Sequence, residues 1–333
     1  MAQFDVSSFL SGTSEGVTYT LPSTGIEITV DAMCIKQTPG EFHRYADKFL
    51  RMNNVITAEE KYWELRGVSV RLYGKADPQK TYTVKLNNSS ASNLQLTEDG
   101  IIAGINTTIA KEAPAAPAPA EKRAIADAKQ FMSEEMLQST STAKMAELVA
   151  KEIYSIRESK LSIVKGEADN MPKDGLSMQL ILDELDKQEK AYLALFTGTT
   201  DTTYVSRKIN FIPGTDSDTT KSILFRFSRK LGVVDNNNLA GAPVYYDFRN
   251  LNSIYVPTQP EGKKAAKKEG ICYNVPGKAE FKIYTTLKTL YSKELPIAQF
   301  GVTETLSKSL FNKNAQTKVL FDTATGSIIS INR

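Results

Sequence analysis

The hydrophobic periodicity of this chain changes twice, and that constrains the fold more than any single motif. Residues 1–110 carry period-two alternation, residues 121–197 repeat at helical spacing, and residues 198–333 return to alternation. A strand sends successive side chains to opposite faces, whereas a helix repeats its apolar stripe every three or four residues. The order is strands, helices, strands. Nothing alternates strand with helix in the way that builds a parallel doubly wound sheet. The pattern predicts an α+β fold: two β-rich regions, mostly antiparallel, flanking a central helical hairpin.

The N-terminal region, 1–110, shows alternation at 17–21, 26–30, 68–72 and 82–86, rich in β-branched and aromatic residues. Pro39-Gly40, the stretch 74–78 and Asp99-Gly100 mark turns. Phe42, Tyr45, Phe49 and Met52 recur at helical spacing and predict one short helix over 41–53. Residues 111–120 follow as an Ala/Pro linker or loop, where three prolines favour an extended segment.

The hairpin region, 121–197, has two apolar stripes. One is Met145, Leu148, Val149, Ile153 and Ile156; the other is Met178, Ile181, Leu182, Leu185, Tyr192 and Phe196. Between them, Gly166 supplies a stop and Pro172, Asp174 and Gly175 a restart. In the C-terminal region, 198–333, strands are expected at 204–209, 222–227, 281–284 and 319–321, with a closing hairpin over 321–329.

Composition excludes several classes. With 41% hydrophobic and 24% charged residues, the 333-residue chain is neither disordered nor collagen-like. It has no run of eighteen apolar residues, so no transmembrane helix is expected. The net charge of +3 hides an uneven spread. Residues 198–333 hold 19 Lys/Arg against 11 Asp/Glu, which would draw an acidic partner to that region. Lys263, Lys264, Lys267 and Lys268 form the densest basic cluster, but no aromatic residue interleaves for base stacking. No nucleic-acid partner is expected.

Chemistry is sparse. The chain has one histidine, His43, and two cysteines, Cys34 and Cys272, too few soft ligands for a structural zinc site. The cysteines either form one long-range disulfide in an oxidising compartment or remain two thiols. Phosphate loops, dinucleotide fingerprints and nucleophile elbows are missing. Asp216 and Asp218 do not continue into a calcium loop. Glu59 with Glu60, and Asp183 with Glu184 and Asp186, are carboxylate groups by count only. Tyr62, Trp63 and the C-terminal tyrosines are either a sugar-stacking platform or core. No catalytic, cofactor-binding or metal-binding residue is assigned, and no cofactor is expected.

Several segments carry a family resemblance. They are Tyr19-Thr20-Leu21-Pro22-Ser23-Thr24, the run 39–50 that opens Pro39-Gly40-Glu41-Phe42-His43, and Gly166-Glu167 followed by Pro172-Lys173-Asp174-Gly175. Further along come Leu195-Phe196-Thr197-Gly198, Gln299-Phe300-Gly301 and Phe321-Asp322-Thr323-Ala324-Thr325-Gly326. Together they resemble a domain-of-unknown-function family of secreted Bacteroidota proteins, over nearly the whole chain. The motifs are turns and helix ends rather than catalytic groups.

The resemblance implies an extracytoplasmic location, periplasmic or associated with the outer membrane. The opening Met1-Ala2-Gln3-Phe4-Asp5 then reads as a mature terminus whose leader has been removed. In that lineage, Asp-Thr-Thr at 201–203 and 218–220 and Asp-Thr-Ala at 322–324 resemble O-glycosylation sequons, with Thr202, Thr219 and Thr323 as acceptors. The resulting expectation is a non-catalytic cell-envelope binding or assembly module, an accessory subunit of an outer-membrane complex with a protein partner. The alternative is a polysaccharide-binding protein or glycosidase, and the third reading an oligomer-forming structural subunit.

Overall fold

The structure, a computed structural model, describes residues 17–84, 94–107, 125–167, 174–215, 217–254, 270–307, 310 and 317–332. In chain order these residues form β1 (Val17–Thr38), α1 (Ala46–Leu50), β2 (Glu60–Val84), β3 (Leu94–Leu96), β4 (Ile102–Ile105), α2 (Glu134–Leu137), α3 (Thr142–Lys165) and α4 (Gly175–Thr197). Then come β5 (Thr199–Phe211), β6 (Thr219–Ser228), β7 (Gly232–Val234), β8 (Ala242–Asn250), β9 (Ile271–Tyr284), β10 (Thr289–Leu306), β11 (Lys318–Phe321) and β12 (Ile328–Asn332). The fold is α+β, as the periodicity predicts. The Ala/Pro stretch 111–120 and the lysine cluster 263–268 lie outside the described residues.

Three sheets form, in the strand orders β2-β1-β5, β10-β9-β8-β6-β7 and β12-β11-β4-β3. All pairings within the second and third are antiparallel. The turn expected over 74–78 does not exist, because those residues run inside β2. Pro78 is tolerated there because β2 is an edge strand, where a missing N–H need cost no ladder bond.

The chain divides into two compact units, one of residues 1–32, 65–114 and 205–333 and the other of residues 33–64 and 115–204. Strands pair across the sequence. β5, from the C-terminal region, lies beside β1, from the N-terminal region.

In the first unit, Ile26, Ile28 and Val30 of β1 bury one face of their strand against Phe225, Phe248, Phe281, Ile283 and Ile297. The rings of Phe211, Phe248 and Phe281 meet at centroid distances of 5.6, 5.9 and 6.1 Å. The contacts of Phe248 with Phe211 and with Phe281 are edge-on and add to the area they bury. A second cluster joins Tyr19 and Leu21 to Ile102, Ile105, Ile271, Val319 and Phe321. There the Cys272 N–H donates to the Tyr19 hydroxyl at 2.7 Å, and that hydroxyl donates back to the Cys272 carbonyl at 3.2 Å. Burial pushes the Tyr19 hydroxyl pKa well up, so it stays protonated and can donate.

A buried polar node links these strands. The register of β10 shifts between Ile297 and Val302, and this bulge aims Gln299 at β1. The Thr24 N–H donates to Gln299 Oε1 at 2.9 Å, and Gln299 Nε2 donates to the carbonyls of Thr24 and Pro213, each at 3.0 Å. Thr24 Oγ1 donates to the Ala324 carbonyl at 3.1 Å and accepts from the Ala298 N–H at 3.0 Å. Asn274 Nδ2 donates to the carbonyls of Pro22 and Thr325 at 3.0 and 2.9 Å. Gly326, at φ 74°, closes the turn against Pro22 and Asn274, where a Cβ would collide with both. No buried side-chain polar atom among the described residues lacks a partner.

The second unit packs Phe42, Ala46 and Leu50 against Val149, Ile153 and Ile156 of α3 and Ala191, Tyr192 and Phe196 of α4. The Phe42 N–H donates to the Leu195 carbonyl at 2.7 Å, and the Ile56 N–H to the Thr197 carbonyl at 3.0 Å. Gly198, at φ 79°, passes so close to the Thr38 carbonyl that no side chain fits.

Replacing Asn274 with alanine strands two buried carbonyls. The expected loss is ~1–3 kcal/mol in urea unfolding, whereas Asn237→Ala, on an exposed loop, should stay within about 0.5 kcal/mol.

Candidate interaction surface

The helical hairpin of the second unit is clamped by ions. α3 stops at Gly166, and α4 restarts on Asp174, whose carboxylate accepts from the Ser177 N–H at 2.8 Å. Glu189 of α4 accepts from Lys160 and Arg157 of α3, each at 2.6 Å, and Lys160 also pairs with Asp186. Lys160 and Glu189 keep only 17% and 15% of their side chains exposed. Burial by itself raises the Glu189 carboxyl, but the hydrogen bonds and charges of Lys160 and Arg157 outweigh it and hold it below the usual range.

Several aliphatic side chains of the hairpin stand in water. Leu161 and Val164 of α3 are 53% and 74% exposed, and Leu176 and Leu180 of α4 are 86% and 74% exposed. Leu180 also borders a cleft of about 610 Å³, lined further by Ile125, Asp183, Glu184, Asp186, Lys187 and Lys190. Apolar groups left in water over neighbouring turns mark sites where another surface docks.

The α4 stripe read from sequence is only partly core. Tyr192 and Phe196 are buried and Leu185 packs beside them, while Ile181 is exposed. The signal was present: positions 176, 178, 180, 181 and 182 are all apolar, more than one helix face needs.

The remaining sequence candidates scatter. Thr202 is half-buried on β5, and Thr219 is half-buried at the start of β6, where its hydroxyl donates to the Ser217 carbonyl at 3.1 Å. Thr323 is half-buried in the β11–β12 turn that Asp322 braces through Thr325 and the Ala324 N–H. Cys272 is buried and Cys34 is half-buried. The His43 ring bonds the Gly40 carbonyl at 2.8 Å and so braces the turn before α1. Glu59 pairs with Lys36 at the surface. Tyr62 and Trp63 are half-buried in β2. Among the described residues no three His, Cys, Asp or Glu side chains gather as metal ligands would. No described helix is long and apolar enough to cross a membrane.

Two of the C-terminal tyrosines lie outside the core. Tyr245 of β8 and Tyr284 of β9 stand opposite each other in register, with ring centroids 5.8 Å apart at 30°. Their neighbours Val244, Phe281 and Ile283 are buried in the core, so the tyrosines project from the other face. The Tyr284 hydroxyl donates to Asp247 at 3.0 Å, and Lys282 Nζ lies 5.3 Å from its ring centre.

The sequence matches a family model over nearly its whole length. Residues 15–329 fit the one described as a domain of unknown function, DUF4831. The chain belongs to this family. No curated protein and no solved structure matches the chain. The segments that carry the resemblance occupy structural nodes: 22–24, 299–301 and 321–326 meet at the polar node, and 40–42 meets 195–198 in the second unit.

Glu189→Gln should lower the melting temperature by about 2 °C at neutral pH. Because the folded carboxyl is depressed, its contribution is complete above the unfolded value and is lost as pH falls through the folded one. Melting curves of the two proteins should therefore converge in acid.

Proposed function

We propose that the protein is a non-catalytic binding or assembly module of the cell envelope, located outside the cytoplasm as an accessory subunit of an outer-membrane complex. Its working surface is the helical hairpin. The observation that supports this is the exposure of Leu161, Val164, Leu176 and Leu180 on two helices that ion pairs hold together, with Leu180 at the edge of a cleft. A rigid, preformed apolar surface keeps the ordering cost of binding low. The family's secreted, Bacteroidota character and the glycosylation of Thr202, Thr219 and Thr323 belong to the same reading.

A photo-crosslinking residue placed at Leu180 in native cells should yield one reproducible adduct with an envelope protein. The same probe at Asn237 should not. Equal, diffuse labelling from both positions would contradict the proposal.

A second reading, polysaccharide binding, is favoured by the Tyr245–Tyr284 pair. Aromatic faces take the C–H faces of a sugar ring, and Asp247 and Lys282 offer an acceptor and a donor to its hydroxyls. On a glycan array the whole chain should then bind a defined saccharide. Tyr284→Ala should weaken that binding roughly tenfold, or ~1.4 kcal/mol; binding unaffected by the substitution would rule out this platform.

A further inference from the structure

Every sheet has two edges, and among the described residues five of the six are blunted or short. β3 and β7 have three residues each and β12 has five. β10 carries Pro296 and two register shifts. β2 carries Pro78 and several lysines and arginines. Such devices keep natural edges from pairing with other chains. The exception is β5, an outer strand of thirteen residues, TTDTTYVSRKINF, with no proline or glycine and with four threonines, a valine and an isoleucine. Among the described residues no strand lies along its second edge.

The middle of β5 is open on both faces as well as on that edge. Residues 203–208 are all exposed. Tyr204 is 52% and Val205 44% exposed, and as neighbours in a strand they point to opposite sides.

We infer that β5 is a dimerisation edge that pairs antiparallel with β5 of a second copy of this chain, centred on Tyr204. Symmetry and charge choose that register. In a two-fold antiparallel pair the axis stands perpendicular to the sheet, so both strands keep their faces and the central residue must meet its own copy. Centring on Tyr204 sets Asp201 opposite Arg207 of the second copy, on both sides of the axis. It also sets Thr203 opposite Val205 and Thr202 opposite Ser206. Asp201 is the only acid in β5, and Arg207 and Lys208 are its only bases. Pairing Asp201 with Lys208 would put the axis between two residues, which the symmetry forbids. Shifting the centre to 203 or 205 sets Asp201 opposite Val205 or Ile209. Only one allowed register therefore joins opposite charges.

Arg207 already holds Asp235, yet its guanidinium has five donors and its side chain is 42% exposed, so a second carboxylate can be accepted. Exposed ion pairs contribute little energy. Here they select the register, while main-chain bonds and the paired Tyr204 rings hold the strands together. This goes beyond the hairpin reading and does not depend on it.

The test uses the full chain. Sedimentation velocity over a concentration series should show monomer passing to dimer. Asp201→Arg should weaken dimerisation at least tenfold, and Asp201→Arg combined with Arg207→Asp should restore it. In a Cys34→Ser background, Tyr204→Cys should form an inter-chain disulfide on copper–phenanthroline oxidation, since facing α-carbons lie within bridging distance. Thr200→Cys, which faces residue 208 of the other copy, should not. A constant monomer mass at all concentrations would overturn the inference. So would a dimer in which Tyr204→Cys cross-links no better than Thr200→Cys.

Discussion

One side chain, Gln299, acts as a missing strand for β1. Its amide takes the Thr24 N–H and gives to the Thr24 carbonyl, as a neighbouring backbone would, while its second N–H reaches Pro213. Asn274 repeats the device toward Pro22 and Thr325. These two amides tie a strand near residue 24 to a turn near residue 325. Buried polar networks are costly when half-satisfied and specifying when complete. This one is complete, so strand β1 has one place to lie.

In the sheet β2-β1-β5, β5 pairs with β1 on one side, and among the described residues no strand lies along its other edge. In the second unit the ion clamp of Arg157, Lys160 and Glu189 plays the comparable part for α3 and α4. It fixes the helices while leaving Leu161, Val164, Leu176 and Leu180 in water. In both cases a satisfied interior sits beside a surface that keeps apolar side chains in water.

Much of this architecture was legible in the sequence. Ile26, Ile28 and Val30 alternate because one face of β1 is buried, and Val149, Ile153 and Ile156 recur at helical spacing because one face of α3 is. The stop at Gly166 and the restart at Asp174 were equally readable. What could not be read was long-range. Pro78 looks like a turn until β2 is known to be an edge. The pairing of β5 with β1 joins segments far apart in the chain, which no local pattern encodes. Gln299 has no signature of its own, because its role exists only once the β10 bulge turns it toward Thr24. The outward row on α4 was visible as surplus apolar positions, yet their meaning required knowing which face was already buried.

The proposed contact surface on the helical hairpin can be probed by hydrogen exchange, compared between the purified chain and the chain in its native cells. Added protection is expected in the opening turns of α4 around Leu176 and Leu180. The amides of Thr24, Asn274 and Ala298 should be slow in both states. Hairpin exchange that is identical in the two settings would contradict it.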